Sequence, residues 1–261
     1  MKLKKIKNIC LVIFGLVLLI PINVKGQLSN TKDPVKILFV GNSFTFFWNM
    51  PQLVSAMAKE QGVEIESYQS TVGGSNLEQH WKGEKGTETR KRIEEEKWDY
   101  VVFGDHSIST IKTPERFNEY GRKFANLVRS KGAEPIFYLT WAYKSNPLMQ
   151  ETITNGYMAL AKELNIQVLP VGPIWMKARE NRPDLELYFD NKHPSPNGTY
   201  LIALIVAKSL TEKSVLNIPN RLTTLDKNGE KLYLAFVLPD NGDFFRQLVE
   251  ETNIEAYKRL K

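Results

Sequence analysis

One stretch of the sequence decides the fold: VKILFVGNSFT, residues 35–45. Its first half is an apolar run that begins after a proline, and such a run predicts a buried strand over residues 35–40. Glycine, asparagine and serine follow directly, and apolar residues with helical spacing continue over residues 50–61. A strand, a tight polar turn and a helix in this order are typical of an α/β protein. We therefore expect the hydroxyl of Ser43 to be exposed at the edge of a sheet.

The alternation of short apolar runs with longer amphipathic stretches continues to residue 210. It predicts further strands and helices, with the strands over residues 63–69, 100–103, 135–140 and 166–170, and the helices over residues 88–97, 114–131, 148–164, 174–180 and 197–210. Apolar strands separated by helices indicate a parallel sheet that is covered on both faces. Ligands of such sheets bind beyond the carboxyl ends of the strands, so the residues that follow each strand are candidate site residues.

The segment after residue 217 has a different pattern. Residues 222–225 and 231–237 flank the sequence DKNG, and an Asn-Gly pair is a strong hairpin signal. A last helix is predicted over residues 243–260. We interpret residues 27–217 as one α/β domain and residues 218–261 as an appendage to that domain.

The first 26 residues account for most of the net charge. The chain has 261 residues, with 35 basic and 29 acidic side chains and a formal charge of +6. Five lysines and no acidic residue lie within residues 1–26, so residues 27–261 carry 30 basic and 29 acidic side chains, or +1. A nearly neutral domain gives no electrostatic reason to expect a nucleic-acid partner.

Residues 1–26 have the pattern of a signal peptide, with a lysine-rich start, an apolar core over residues 9–22 and small residues before Gln27. The core is shorter than the roughly 20 residues that span a bilayer. We therefore expect cleavage after Gly26 and no stable membrane insertion afterwards, with an uncleaved anchor as the alternative. The single cysteine, Cys10, lies in this leader. An exported chain without disulfides predicts a bacterial periplasmic or extracellular protein.

The residues after the first two predicted strands could serve catalysis or binding. Ser43 could be a nucleophile whose own backbone N–H helps to hold an oxyanion, the turn could cradle a phosphate, or the serine could cap the next helix. Gly73 and Gly74 follow the second strand, and paired glycines let a backbone N–H approach a ligand closely. Most such pairs are only turns, so the glycines alone are a weak signal.

Two further segments carry titratable side chains. Asp105 and His106 follow the third strand, where they could be site residues or ordinary turn residues. The sequence DNKHP places Asp190 three residues before His193, ahead of an apolar helix. Serine is a poor nucleophile unless a base takes its proton, and a carboxylate can fix the tautomer of that base. His193 and Asp190 suit these roles, and a solvated loop histidine is the alternative.

Together these segments resemble the sequence blocks of the SGNH, or GDSL-like, hydrolase superfamily. GNSFT at residues 41–45 resembles the first block in the form found in one branch, residues 73–75 resemble the second, and residues 190–194 match the D-x-x-H-P of the last. The resemblance covers residues 35–210. It implies a three-layer α/β/α sandwich with a flavodoxin-like, five-stranded parallel sheet, and ester hydrolysis by a Ser–His–Asp set without metal or cofactor.

The resemblance assigns a role to each matching residue. Ser43 would be the nucleophile, His193 the base and Asp190 the group that orients the base. The backbone N–H groups of Ser43 and Gly74 would hold the oxyanion.

The third block departs from the family pattern. The family usually has G-x-N-D here, or a glutamine in the GNSFT branch, whereas residues 104–107 read GDHS. An ionised Asp105 would repel an oxyanion, and the side chain of His106 could donate an N–H instead. Loss of one donor typically costs about a hundredfold to a thousandfold in rate. Either His106 substitutes, or another group donates, or the activity is reduced.

The expected function is an exported serine esterase that hydrolyses small acyl esters, with acetyl on carbohydrate as first choice. Gly73, Asp105 and Trp141 are candidate substrate contacts, since an aromatic ring at the mouth of the site would stack on a sugar, although core packing would also explain Trp141. The partner would then be a small-molecule or glycan ester. A lipid or thioester acyl hydrolase on the same residues and a catalytically weak glycan-binding relative are alternatives. A phosphate-binding module would leave Asp190 and His193 unexplained.

Overall fold

The computed structural model describes residues 33–258, and within them five parallel strands form one sheet. The strands are β1 (Val35–Gly41), β2 (Ile65–Thr71), β3 (Tyr100–Phe103), β4 (Glu134–Tyr138) and β5 (Gln167–Leu169). Their order across the sheet is β2-β1-β3-β4-β5, with every neighbouring pair parallel. This is the flavodoxin-like order, in which the direction of winding reverses between β1 and β3. The predicted fold class is confirmed.

Helices cover both faces of this sheet, as the apolar strands require. They are α1 (Ser43–Phe46), α2 (Met50–Glu60), α3 (Leu77–Lys82), α4 (Thr89–Glu95), α5 (Ser109–Lys112), α6 (Pro114–Ser130), α7 (Met149–Leu164), α8 (Val171–Asn181), α9 (Pro196–Thr211) and α10 (Pro239–Glu251). Helices α2, α8 and α9 share one apolar core with the sheet, and α3, α4, α6 and α7 share the other. The result is a sandwich of three layers.

The alternation of side chains along β1 explains its apolar sequence. Ile37 and Phe39 belong to the core on the α9 side, whereas Leu38 and Val40 belong to the core on the α6 side. Successive side chains of a strand point to opposite faces, so a central strand covered on both faces must be apolar throughout.

The segment after residue 217 covers the outer side of α9. Nearly every residue of α9 is buried, and a helix that is apolar all round needs packing partners on all sides. Helix α9 packs against α2 and against α10. Phe245 of α10 and Leu222 of the hairpin β6 (Arg221–Leu225) and β7 (Lys231–Phe236) belong to the same core as the sheet. The appendage therefore completes the burial of α9.

The strand bounds differ from the predicted ones at β2. It was expected over residues 63–69 and spans Ile65–Thr71. The shift follows from its register, because β2 pairs residue for residue with β1 from Val35 opposite Ile65 to Gly41 opposite Thr71. The strand therefore continues almost to the paired glycines at residues 73 and 74.

Two of the predicted helices also have other bounds. The helix expected over residues 174–180 begins at Val171, directly after β5. The helix expected over residues 243–260 begins at Pro239, since proline is favoured in the first turn, and ends at Glu251. A 3₁₀ turn capped by Asn253 follows it.

The predicted signal peptide, its cleavage site after Gly26 and Cys10 lie outside the described residues. Within residues 33–258, no helix combines the length and the apolar character needed to cross a bilayer.

Candidate active site

The turn after β1 is fixed by its own asparagine. Asn42 is buried and caps α1, because its Oδ1 accepts a hydrogen bond from the N–H of Phe44 at 3.0 Å. Its Nδ2 donates to the carbonyl oxygen of Ser75 at 3.0 Å, which ties this turn to the loop after β2. Ser43 is thereby held at the carboxyl end of β1, beside the point where the strand order reverses.

Ser43, His193 and Asp190 form a continuous chain of hydrogen bonds. The Oγ of Ser43 lies 2.9 Å from Nε2 of His193, and Nδ1 of His193 lies 2.7 Å from Oδ2 of Asp190. If Nδ1 carries the proton and donates to Asp190, Nε2 is free to accept the proton of Ser43. The structure thus brings together the three residues to which the family resemblance assigns catalytic roles.

The carboxylate of Asp190 is ionised and oriented by its neighbours. Its Oδ1 accepts hydrogen bonds from the backbone N–H groups of Lys192 at 2.7 Å and His193 at 2.8 Å. Partial burial alone would raise the pKa of Asp190, but these bonds and the one from the His193 ring outweigh it and lower the pKa to about 2. A fixed negative charge therefore faces Nδ1 at neutral pH.

Aromatic side chains enclose the imidazole of His193. Phe47 stacks on it with 4.5 Å between ring centroids and 6° between the planes, and Phe44 meets it edge-on at 5.9 Å. Trp48 donates from Nε1 to the carbonyl oxygen of Pro194 at 2.8 Å. The segment that follows the nucleophile therefore also holds the loop that carries the base.

The backbone that presents these aromatic rings is strained. Trp48 and Asn49 are consecutive non-glycine residues with φ of 52° and 55°, in the left-handed region. Each such residue costs free energy, and such strain clusters at functional sites where the surrounding structure enforces it. Here the enforced turn places Phe47 on the imidazole and Trp48 on the histidine loop.

A cavity of about 390 Å³ opens beside Ser43 and His193. The residues that line it come from all four sequence blocks: Asn42, Ser43, Phe44, Phe46, Phe47, Gly73, Gly74, His106, Ser107, Lys192 and His193. Gly74 has a φ of 65°, which favours glycine, and its N–H has no acceptor among residues 33–258. The Nζ of Lys85 donates to the carbonyl oxygen of Gly74 at 3.0 Å and so helps to fix this loop.

Asp105 does not contact the cavity, which corrects its assignment as a substrate contact. It is 4% exposed, and its Oδ1 accepts hydrogen bonds from the N–H of Leu77 at 3.0 Å and of His106 at 2.6 Å. Burial raises the pKa of this carboxyl to about 6. The carboxyl ties the loop after β3 to the start of α3, and its role is structural.

His106, in contrast, lines the cavity together with Ser43. Burial lowers the pKa of its ring, and the positive charges of Lys192 and Lys85 lower it further. The imidazole is therefore neutral at pH 7 and has one ring N–H to donate. His106, the predicted replacement for the usual third-block amide, therefore lies at the same cavity as Ser43.

The prediction that Trp141 contacts the substrate is also wrong. It is fully buried, stacks on Phe44 at 4.4 Å and on Trp175 at 4.6 Å, and donates from Nε1 to the carbonyl oxygen of Lys192 at 2.9 Å. It cannot reach a substrate, because core packing encloses the indole. Gly73 does line the cavity, as expected.

A buried histidine that the function prediction did not use supports the turn after β1. Nε2 of His80 lies 2.9 Å from the carbonyl oxygen of Gly41 and 2.8 Å from Oγ of Ser75. Its Nδ1 lies 2.6 Å from Oγ1 of Thr89, which in turn lies 2.7 Å from Oγ of Ser70. Burial lowers the pKa of His80 to about 4, so the ring is neutral and donates from Nε2 to Gly41.

Sequence reasoning did not name six of the residues that line the cavity as site residues: Asn42, Phe44, Phe46, Phe47, Ser107 and Lys192. Phe47 follows the first block and Lys192 occupies a variable position of D-x-x-H-P. Their spacing relative to Ser43 and His193 was the available signal, because close neighbours of a catalytic residue often share its cavity.

Within residues 33–258, no group of three or more His, Cys, Asp or Glu side chains could hold a metal ion.

No protein-family model and no curated protein matches the chain, whereas solved structures do. A protein from Slackia heliotrinireducens described as an SGNH hydrolase is 24% identical, with a TM-score of 0.59, and the match covers 68% of this chain and 100% of that one. A DUF4886 family protein from Bacteroides uniformis is 19% identical, with a TM-score of 0.69, over 87% of this chain and 98% of that one.

An acetyl xylan esterase is 15% identical, with a TM-score of 0.56, and the match covers 67% of this chain and 100% of that one. At these identities the similarity establishes the fold. The chain has the three-layer fold of the SGNH hydrolases, and the resemblance seen in the sequence blocks is confirmed at that level.

Proposed function

We propose that the protein is a serine hydrolase of carboxylic esters, with Ser43 as nucleophile, His193 as base and Asp190 as the group that orients the base. The observation that carries the proposal is the hydrogen-bonded chain from Ser43 through His193 to Asp190, beside a cavity at the carboxyl ends of the strands. Solved structures with the same fold, an acetyl xylan esterase among them, support the choice of ester bonds.

The reaction has two halves. Oγ of Ser43 attacks the acyl carbonyl carbon while Nε2 of His193 accepts the hydroxyl proton, and the tetrahedral intermediate collapses as His193 returns that proton to the leaving alcohol. In the second half, His193 takes a proton from water, which attacks the acyl-enzyme, and Ser43 is released with its proton. The charge of Asp190 stabilises the imidazolium that forms in each half.

Donors for the oxyanion come from three blocks in this proposal. The backbone N–H groups of Ser43 and Gly74 take the roles that the family resemblance gives them. His106 supplies a side-chain N–H in place of the missing third-block amide, and its neutral state suits a donor that must not compete as a general acid.

The cavity favours a small acyl group. Its volume of about 390 Å³ suits a short ester, and Phe46 and Phe47 form apolar walls. Trp48 and Phe189 are exposed aromatic residues whose rings meet at 6.0 Å beside Phe47, and such rings can stack on a sugar. We therefore propose acetyl groups on carbohydrate as the substrate, and an exported protein that meets such glycans outside the cytoplasm.

The test is hydrolysis of 4-nitrophenyl acetate, butyrate and decanoate by residues 27–261 and by the Ser43→Ala variant. We expect kcat/KM to be highest for acetate and to fall to the background of the buffer in the variant. Highest activity on the decanoate would favour a lipid acyl hydrolase. Absence of turnover together with binding of acetylated xylan that survives Ser43→Ala would favour a glycan-binding protein instead.

A further inference from the structure

The cavity beside Ser43 is lined by a lysine whose ammonium group has no partner within residues 33–258. Lys192 is half-buried and lines the cavity with Ser43 and His193. Its backbone is fixed, because its N–H bonds to Asp190 and its carbonyl oxygen accepts the indole N–H of Trp141. Its ammonium group makes no hydrogen bond and no ion pair with the described residues. An ammonium group without an intramolecular partner can form a charge-assisted hydrogen bond with an anionic group of a ligand.

Two lysines border the cavity. Lys192 is the one Lys, Arg, Asp or Glu among the described residues that line it. Lys85 lies at the margin, where its Nζ donates to the carbonyl oxygen of Gly74. Both ammonium groups are close enough to act on the ring of His106 in the same cavity.

The carboxylates of the four sequence blocks form no ion pair with either lysine. The carboxylate of Asp190 accepts hydrogen bonds from the ring and the backbone N–H of His193 and from the backbone N–H of Lys192. Asp105 is buried behind the loop after β3 and does not line the cavity. The ammonium group of Lys192 is therefore available to a ligand.

The position of the lysine identifies the part of the substrate that it meets. His193 must deliver a proton to the leaving oxygen, so the alcohol part of the ester lies on the His193 side of the scissile bond. Lys192 immediately precedes His193 and lines the same space. We propose that the alcohol part of the substrate carries an anionic group, a carboxylate or a sulfate, which binds the ammonium of Lys192. This inference rests on the proposed function, because the ester reaction is what places the alcohol there.

A matched pair of esters tests the inference. Methyl 4-acetoxybenzoate and 4-acetoxybenzoate share the acetyl group and the phenyl ring and differ in charge at the alcohol part. The readout is the ratio of kcat/KM for the anionic ester to that for the neutral ester. Comparing this ratio between variants cancels the intrinsic difference in reactivity of the two esters.

We expect Lys192→Gln to lower the ratio about tenfold and Lys192→Glu to lower it further, because a charge pair in a partly screened site is worth about this factor. Added salt should lower the ratio for the unmodified protein. Lys131→Gln is the matched control, since Lys131 follows α6 and lies before β4, at the opposite edge of the sheet. It should leave the rates on both esters unchanged.

Three outcomes would overturn the inference. One is an unchanged ratio in Lys192→Gln, including the case in which both rates fall together, since the lysine would then serve the reaction and not the anion. Another is a charge effect confined to the acyl side, measured with mono-4-nitrophenyl succinate and its methyl ester. The third is a ratio that falls equally in Lys131→Gln.

Separate measurements identify the type of anion that binds and test the proposed function itself. 4-Acetoxybenzenesulfonate should follow the same ratio, because an ammonium group is a point charge that does not require a planar carboxylate; a response to carboxylate alone would assign the site to carboxylates. If Ser43→Ala hydrolyses the neutral ester as fast as the unmodified protein, the proposed function fails, whatever the charge ratio shows.

Discussion

The ring of Phe47 lies parallel to the imidazole of His193, with 4.5 Å between their centroids. His193 becomes positively charged in the proposed reaction, and a cation over an aromatic face is stabilised by about 0.5 to 2 kcal/mol. We expect Phe47→Leu to lower kcat on 4-nitrophenyl acetate about three- to tenfold, with a smaller change in KM. The apolar wall is kept, so the loss reports on the aromatic face.

Phe236→Leu provides the comparison for this variant. Phe236 is an exposed aromatic residue of the hairpin, and its replacement should leave kcat unchanged. Equal effects of the two substitutions would contradict a specific role for Phe47.

Asp190→Asn should reduce kcat by about four orders of magnitude while the fold persists. An amide at this position presents an N–H to Nδ1 of His193 and so favours the tautomer that cannot accept the proton of Ser43. The measurement is kcat on 4-nitrophenyl acetate, with circular dichroism as the control for folding. A loss of less than tenfold would show that Asp190 does not set the tautomer.

His80 should make stability depend on pH on the acid side. The folded chain holds the pKa of His80 near 4, whereas the ordinary value is 6.5. As the pH falls through this window, the unfolded chain takes up a proton that the folded chain does not, so the free energy of unfolding decreases. His80→Gln lacks this contribution. In urea unfolding at pH 7.5, we expect the variant to have a lower free energy of unfolding than the unmodified chain. At pH 5 this difference should be about 1 to 2 kcal/mol smaller. A constant deficit would contradict a buried neutral histidine.

Asp105 should affect stability with the opposite dependence on pH. Its folded pKa of about 6 exceeds the ordinary 3.8, so between these values the unfolded chain loses a proton that the folded chain keeps. Stability therefore decreases as the pH rises through this window. Asp105→Asn keeps an oxygen for the N–H groups of Leu77 and His106 and removes the titration. Relative to the unmodified chain, the free energy of unfolding of the variant should increase by about 2 kcal/mol between pH 4 and pH 7 in urea unfolding. A constant difference between the two proteins over this range would contradict the raised pKa.

The sequence predicts the sheet and the three proposed catalytic residues because both depend on local patterns. Apolar runs identify central strands that are covered on both faces, and strand ends locate Ser43. The D-x-x-H-P block places Asp190 and His193 three residues apart, a spacing at which a turn lets the carboxylate reach both the ring and the backbone.

The sequence could not predict whether Asp105 and Trp141 line the cavity or are buried, because the direction of a side chain after a strand depends on its neighbours. At Gly104, a Cβ would lie 2.9 Å from the carbonyl oxygen of Tyr138, so the chain passes close to β4 at this point. Asp105 follows this contact and is buried against α3. The stack of Phe44, Trp141 and Trp175 joins segments that are far apart in the chain, so no local sequence pattern predicts it.

The most direct test of the proposed mechanism is the site of covalent labelling by a fluorophosphonate, located by mass spectrometry of residues 27–261. Such a probe reacts with a serine that a neighbouring base activates. We expect stoichiometric labelling at Ser43, no labelling of Ser43→Ala, and labelling slowed at least a hundredfold in His193→Ala. A label on another residue, or an unmodified Ser43 in protein that hydrolyses 4-nitrophenyl acetate, would contradict the assignment of Ser43 as the nucleophile.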